Sequence, residues 1–221
     1  MALNTQTHLL LGLAALAPLS ARHRASNRSG LLVLAILAGA LLPDASLFVM
    51  WGYAKFTGVA EATIWSELYY SDFWQQAGAM TNSIPVFLFT ALLGLWLGGR
   101  MGLQADVRSF PSNGGSPPGL TGTALLLFSL SALLHALADL PLHHDDGHPH
   151  FWPFSNWIFS SPVSYWDGAH HGNIWRPVEL CLAGVLLLLL WRRFRSILSR
   201  LLLILVGLSY LLAAGYWFNA F

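Results

Sequence analysis

The stretch Thr123-Ala-Leu-Leu-Leu-Phe-Ser-Leu-Ser-Ala-Leu-Leu-His135-Ala-Leu-Ala-Asp139-Leu-Pro141 decides the fold. It is an apolar helix of about four turns that closes on a histidine, an aspartate and a proline. His135 and Asp139 stand at i and i+4, so both side chains lie on one helix face, close enough to share an ion. Pro141 then ends the helix. An unpaired aspartate in a bilayer costs about 2.5–3.5 kcal/mol on insertion scales, so such a pair faces a polar interior.

Working outward, about 120–140 is one of five stretches able to cross a hydrocarbon layer of about 30 Å, which takes roughly 20 helical residues. The others lie at about 31–50, 73–98, 177–191 with flanks, and 201–218. A sixth, roughly 4–19, is shorter. It resembles a signal peptide at Leu-Ala-Ala-Leu-Ala-Pro, but nothing basic precedes it, so it is expected to be retained. Hydrophobic residues make up 55% of the 221 positions and charged residues 10%, with a mean hydropathy of +0.56. These values indicate a polytopic membrane protein. The expectation is an all-α bundle of five or six membrane helices forming a single domain over 1–221, with a flexible connector at about 100–119 and a structured outer loop at about 141–176. No internal repeat is evident.

Basic residues orient the bundle, because Arg and Lys are retained in cytoplasmic loops. Arg22, Arg24, Arg28, Arg100, Arg108, Arg192, Arg193, Arg195 and Arg200, nine of the eleven, fall on one side if the helices alternate. Both termini and the 141–176 loop then face away from the cytoplasm, with Lys55, Glu61, Glu67 and Asp72 on the same side.

That loop and the helix before it hold seven of the nine histidines and four of the ten acids. Imidazole and carboxylate bind zinc, manganese or iron. The one cysteine, Cys181, lies in an apolar run, so a thiolate cluster and a disulfide framework are both excluded. The outward ends of other helices carry Asp44 beside Pro43, and His8. The expected metal ligands are His8, Asp44, His135 and Asp139, with loop histidines drawn from His143, His144, His148, His170 and His171. His150 belongs to the same group, of which about half are expected to ligate and the rest to orient ligands or face solvent. Thr81, Asn82 and Asp167 are expected to support the ligands. Pro85 frees the Thr81 carbonyl from its helical hydrogen bond. Asp145 and Asp146 are general-base candidates, although an acidic turn is also a plain solvated feature. Arg176 and Lys55 are candidates for offsetting substrate charge. The aromatics Phe151, Trp152, Phe154, Trp157, Tyr165, Trp166 and Trp175 read as an interfacial belt rather than a substrate cage.

Thr7-His8, Leu41-Leu42-Pro43-Asp44, Thr81-Asn82-Ser83 and His135-x-x-x-Asp139 with its following proline, in that order, resemble the YdjM-type family of inner-membrane, metal-dependent hydrolases. The resemblance implies a bacterial inner-membrane location and a metal-assisted hydrolysis. More distantly, the His-x-x-x-Asp helix with later histidines is similar to zinc-dependent phospholipases C. The chain departs from the family pattern at Ser46, where a second aspartate is usual, and at Asn82, where a histidine is usual. Both departures imply a reduced ligand set.

The expected function is therefore hydrolysis of an ester or phosphoester, such as a lipid head group, by a divalent ion, zinc foremost, at the non-cytoplasmic face. Two rivals come from other classes. One is an ion, proton or metal pathway, which needs polar groups continuing inward where the helix offers only Ser131, Ser129 and Thr123. The other is a non-catalytic metal or haem binder using His8 and His135. Phosphate loops and basic nucleic-acid patches are absent, so the bilayer and a lipid or phosphoester substrate are the expected partners.

Overall fold

Long apolar runs without water to satisfy their backbone must form helices. The computed structural model describes residues 3–20, 29–102 and 119–220, and among these it is helical with no strand. The helices are α1 (Thr5–Ser20), α2 (Ser29–Phe56), the short α3 (Glu61–Thr63) continued by a π turn to Leu68, α4 (Asp72–Thr81), α5 (Ile84–Gly102), α6 (Leu120–Asp139), α7 (Gly172–Arg193) and α8 (Ile197–Ala220). Among the described residues, four spans are long and apolar enough to cross a membrane: Gly30–Phe56, Asp72–Gly98, Leu120–Leu142 and Gly172–Arg193. Thr5–Leu19 and Ile197–Leu212 are shorter apolar helices. The protein is thus a helical membrane bundle. Most of the 100–119 connector lies outside the described residues.

Helix α6 is the centre, touching α1, α2 and α5. Two glycines let backbones meet there. A Cβ at Gly39 would sit 2.0 Å from the Phe128 carbonyl oxygen, and one at Gly122 would sit 2.3 Å from the Gly98 nitrogen. Small residues at such crossings replace side-chain interdigitation with direct backbone contact. The Gly39–Phe128 crossing has a consequence for the site: continuing along each helix from it brings Asp44 of α2 opposite His135 of α6.

Two features depart from simple spans. Helix α2 runs past residue 50 to Phe56 and carries Pro43 inside it. The third span is broken, with Asn82 capping α4 and α5 starting at Ile84 just before Pro85. The break exposes donors that the outer loop satisfies. Ile84 N donates to the His150 carbonyl at 2.9 Å, and Ser83 Oγ donates to the Trp152 carbonyl at 2.5 Å. The loop also closes on itself, because Ser161 N reaches the His143 carbonyl and Tyr165 N the Leu142 carbonyl. It forms a cap stitched to the helix ends, with Leu142, His143, His148, His150 and Tyr165 buried.

Candidate metal centre

The lead-in to α1 organises the site. A helix start offers unsatisfied N–H groups and a positive dipole end, which together favour carboxylates. Three buried acids collect there. Leu3 N donates to Asp139 Oδ1 at 3.0 Å, Thr5 Oγ1 to Asp44 Oδ2 at 2.5 Å, and Asn4 N to Glu179 Oε1 at 2.7 Å. The same helix turn carries His8, whose ring stacks on His135 with centroids 3.5 Å apart and planes 9° apart.

Around Asp139 the imidazoles converge. His8 Nε2 is 2.9 Å from Asp139 Oδ1 but out of hydrogen-bond alignment, and His135 Nε2 is 3.6 Å from Asp139 Oδ2 and 3.6 Å from Asp44 Oδ1. His8, His135 and Asp139 each bring one ligand atom within 4.8 Å of the others, and all three are buried. The tautomer of His135 follows from its other nitrogen. Nδ1 lies 2.7 Å from the Ala40 carbonyl, which can only accept, so Nδ1 carries the proton and Nε2 of the neutral ring presents a lone pair. That lone pair makes no hydrogen bond and faces two carboxylates. Such an arrangement is unfavourable unless a proton on Nε2 or a metal cation joins the groups, and backbone orientation of the distal nitrogen is how metal-ligating histidines are held. The donor set therefore fits a divalent ion, with N and O ligands suited to zinc, manganese or iron.

His143 extends the cluster outward. Its Nε2 is 3.8 Å from Asp139 Oδ2, and its Nδ1 is 2.9 Å from Asp146 Oδ1. Burial alone would lower the His143 value, but the Asp139 and Asp146 carboxylates beside it hold it above the ordinary histidine range. Asp146, also partly buried, is drawn below the usual carboxylate range by the same imidazole.

A family model, that of the YdjM inner membrane protein, matches residues 3–219. The chain belongs to this family. No curated protein and no solved structure matches it. Membership of the YdjM inner-membrane family, with the apolar helices, makes it an integral membrane protein.

Against the family pattern, the two departures have local explanations. Ser46 shares a hydrogen bond of 2.9 Å with Thr81 Oγ1, tying α2 to α4 where a second acid is usual. Asn82 Nδ2 donates to the Pro43 and Gly78 carbonyls, both at 3.0 Å, and Thr81 also reaches the Pro43 carbonyl. These two residues clamp the backbone next to Asp44 and are spent on positioning it.

The remaining expected residues divide by location. His148 is buried, its ring filling the space above Gly78, where a Cβ would come within 2.8 Å of Nδ1. His144 and His170 form a separate stacked pair 3.8 Å apart. His144 Nδ1 donates to the Ser161 carbonyl and His170 Nδ1 to Asp167 Oδ2. Asp167 thus supports His170 rather than the trio. His171 is exposed, with φ 70°, at the junction where the loop enters α7. Asp145 is exposed. Arg176 is buried in the first turns of α7 with Nη2 donating to the Trp166 carbonyl at 2.9 Å, and Lys55 pairs with Glu61 at 2.9 Å. Both cations are engaged by the protein.

Sequence reasoning passed over Glu179. It is buried in α7 and accepts from Asn4 N, Asn4 Nδ2, Thr7 Oγ1 and Tyr165 Oη. The available signal was an acid within an apolar span, the same rule that singled out Asp44.

The loop histidines carry a pH expectation. Burial, then the charge of His143, lowers His150 to about 4 from an ordinary 6.5, and burial likewise lowers His148. A depressed imidazole value means the unfolded loop takes up its proton first, so stability is full above about pH 6.5 and falls as the pH drops towards 4. For His150 alone the loss at pH 5 is about 2 kcal/mol. Thermal unfolding in detergent at pH 7 and pH 5, followed by tryptophan fluorescence, is expected to show a drop that His150→Gln reduces. An equal drop in both proteins would remove His150 as its source.

Proposed function

We propose that the protein is a metal-dependent hydrolase that cleaves an ester or phosphoester at the non-cytoplasmic membrane face. The observation that carries this reading is the unbonded Nε2 of His135 held between two buried carboxylates and stacked on His8. His8, His135 and Asp139 would hold the ion, with Asp44 and His143 at its margin. A zinc ion so held supplies Lewis acidity and a water-derived nucleophile near neutral pH, with a water pKa of about 7.

The protein groups then have separate tasks. Asp146 orients His143, placing an imidazole that could give a proton to a leaving-group oxygen. The buried walls exclude water from the ligands. With Arg176 and Lys55 engaged elsewhere, positive charge towards a phosphoester falls to the ion itself. The outward orientation rests on the nine arginines of the opposite side.

Two observations favour this over the rivals. Rings stacked at 3.5 Å leave no room for a porphyrin between their nitrogens. Further inward, Ser131 Oγ is buried without a partner among the described residues, but Ser129 shares a hydrogen bond with Thr90 and donates to the Leu125 carbonyl, and Thr123 donates to the Gly119 carbonyl, so the polar line stops at Ser131. Purified protein in nanodiscs is expected to hydrolyse phospholipid or a chromogenic phosphodiester, and to lose this with chelator and with His135→Ala. Retained metal with no turnover on any ester or phosphoester would make it a binder instead.

A further inference from the structure

A cleft of about 820 Å³ adjoins the His143–Asp146 pair, with Asp146 in its wall. Its sides are Trp51, Trp65, Tyr69, Tyr70 and Trp166. Four of these rings are exposed, Tyr69 alone being buried. Exposed aromatics at a membrane surface are ordinarily a belt with polar tips turned to head groups. Here three of the five tips turn to the protein. Trp51 Nε1 and Trp65 Nε1 both donate to Glu61 Oε1, at 3.0 and 2.7 Å, and Tyr69 Oη donates to the Asp146 carbonyl at 2.6 Å. Glu61 is in turn neutralised by Lys55. The indoles are pinned as walls of a concavity.

The charge of the lining has one sign. Glu61, Asp146 and Asp167 are paired with Lys55, His143 and His170, Asp145 stands outside those pairs at the rim, and among the described residues no lysine or arginine lines the cleft. Aromatic faces attract an organic cation through the ring quadrupole, and carboxylates at the rim add to the attraction. An anionic or neutral polyol group gains neither. The shared chemistry is an ammonium group, borne by a lipid head group or free in solution.

We propose that this cleft is a head-group subsite that takes the ammonium of an ethanolamine- or choline-type lipid, leaving the adjoining phosphoester towards His143 and the metal centre. The placement of the phosphoester rests on the hydrolase reading; recognition of the ammonium does not.

The test is calorimetric titration of the full-length protein in detergent with glycerophosphoethanolamine, glycerophosphocholine, glycerophosphoglycerol and free ethanolamine. The amine-bearing glycerophosphodiesters are expected to bind at least about ten-fold more tightly than glycerophosphoglycerol. Asp145→Asn and Trp65→Ala, both at exposed positions, are each expected to reduce that preference several-fold. His135→Ala is expected to keep it, so a failed metal reading and a failed cleft reading give different results. Equal binding of glycerophosphoglycerol, or no response to either cleft variant, would overturn the proposal. Free ethanolamine binding as tightly as its glycerophosphodiester would assign the cleft to a soluble amine and overturn the lipid assignment.

Discussion

Asp139→Ala is expected to strip the metal from the purified protein and abolish turnover, with a fall in metal affinity of more than about 100-fold. Asp139 is the one residue on which the imidazoles converge. Its Oδ1 receives Leu3 N and lies 2.9 Å from His8, and its Oδ2 faces His135 at 3.6 Å and His143 at 3.8 Å. Without it, the two stacked rings remain with Asp44, 3.6 Å from His135 Nε2, as their neighbouring carboxylate. The chain is also expected to lose about 3–5 kcal/mol of stability, because removing this buried acid strands Leu3 N and the imidazoles around it. Metal per chain by mass spectrometry, beside a melting curve, reads both effects. Asp139→Asn keeps the shape and the Leu3 hydrogen bond while losing the charge, so it separates ligation from packing. Wild-type metal content in both variants would remove Asp139 from the site.

The parts of this arrangement that were legible in the sequence are those fixed by helix geometry. The i, i+4 spacing puts His135 and Asp139 on one face whatever surrounds them, and the hydropathy of the long runs leaves no alternative to helices. The approach of Asp44 to His135 needed one more assumption, that buried polar groups share a pocket. Its physical cause, the Gly39–Phe128 contact, has no signature beyond a glycine in an apolar run.

The loop was legible in composition but not in placement. Nothing local distinguishes His143, which meets Asp139, from His144, which stacks on His170 in a different hydrogen-bond network; the difference lies in which carbonyls close the cap. Arg176 looked like a free cation at a loop edge because α7 was expected to begin near 177. The helix starts at Gly172 and turns Arg176 to the Trp166 carbonyl. Trp166 read as belt because a ring's partner across a cleft is invisible in one sequence.

Glu179→Ala is expected to cost about 3–5 kcal/mol of stability and, in addition, to weaken metal binding by a residue that touches no ligand atom. The carboxylate satisfies four donors, Asn4 N, Asn4 Nδ2, Thr7 Oγ1 and Tyr165 Oη, and Thr7 is further tied to Tyr210. Removing it strands these groups in a buried setting, where each unsatisfied donor costs about 1–3 kcal/mol before relaxation. The path of relaxation matters for function. Asn4 and Thr7 flank the turn that delivers Leu3 N to Asp139, Thr5 Oγ1 to Asp44 and the His8 ring to His135. A shift of α1 to rescue its donors therefore moves three site contacts together. Asn4→Ala removes one of the four hydrogen bonds, that of Nδ2, and keeps the backbone donor and the acid, so it is expected to fall between wild type and Glu179→Ala in both melting temperature and metal affinity. Loss of stability with unchanged metal affinity in both variants would show that the network holds the fold without positioning His8.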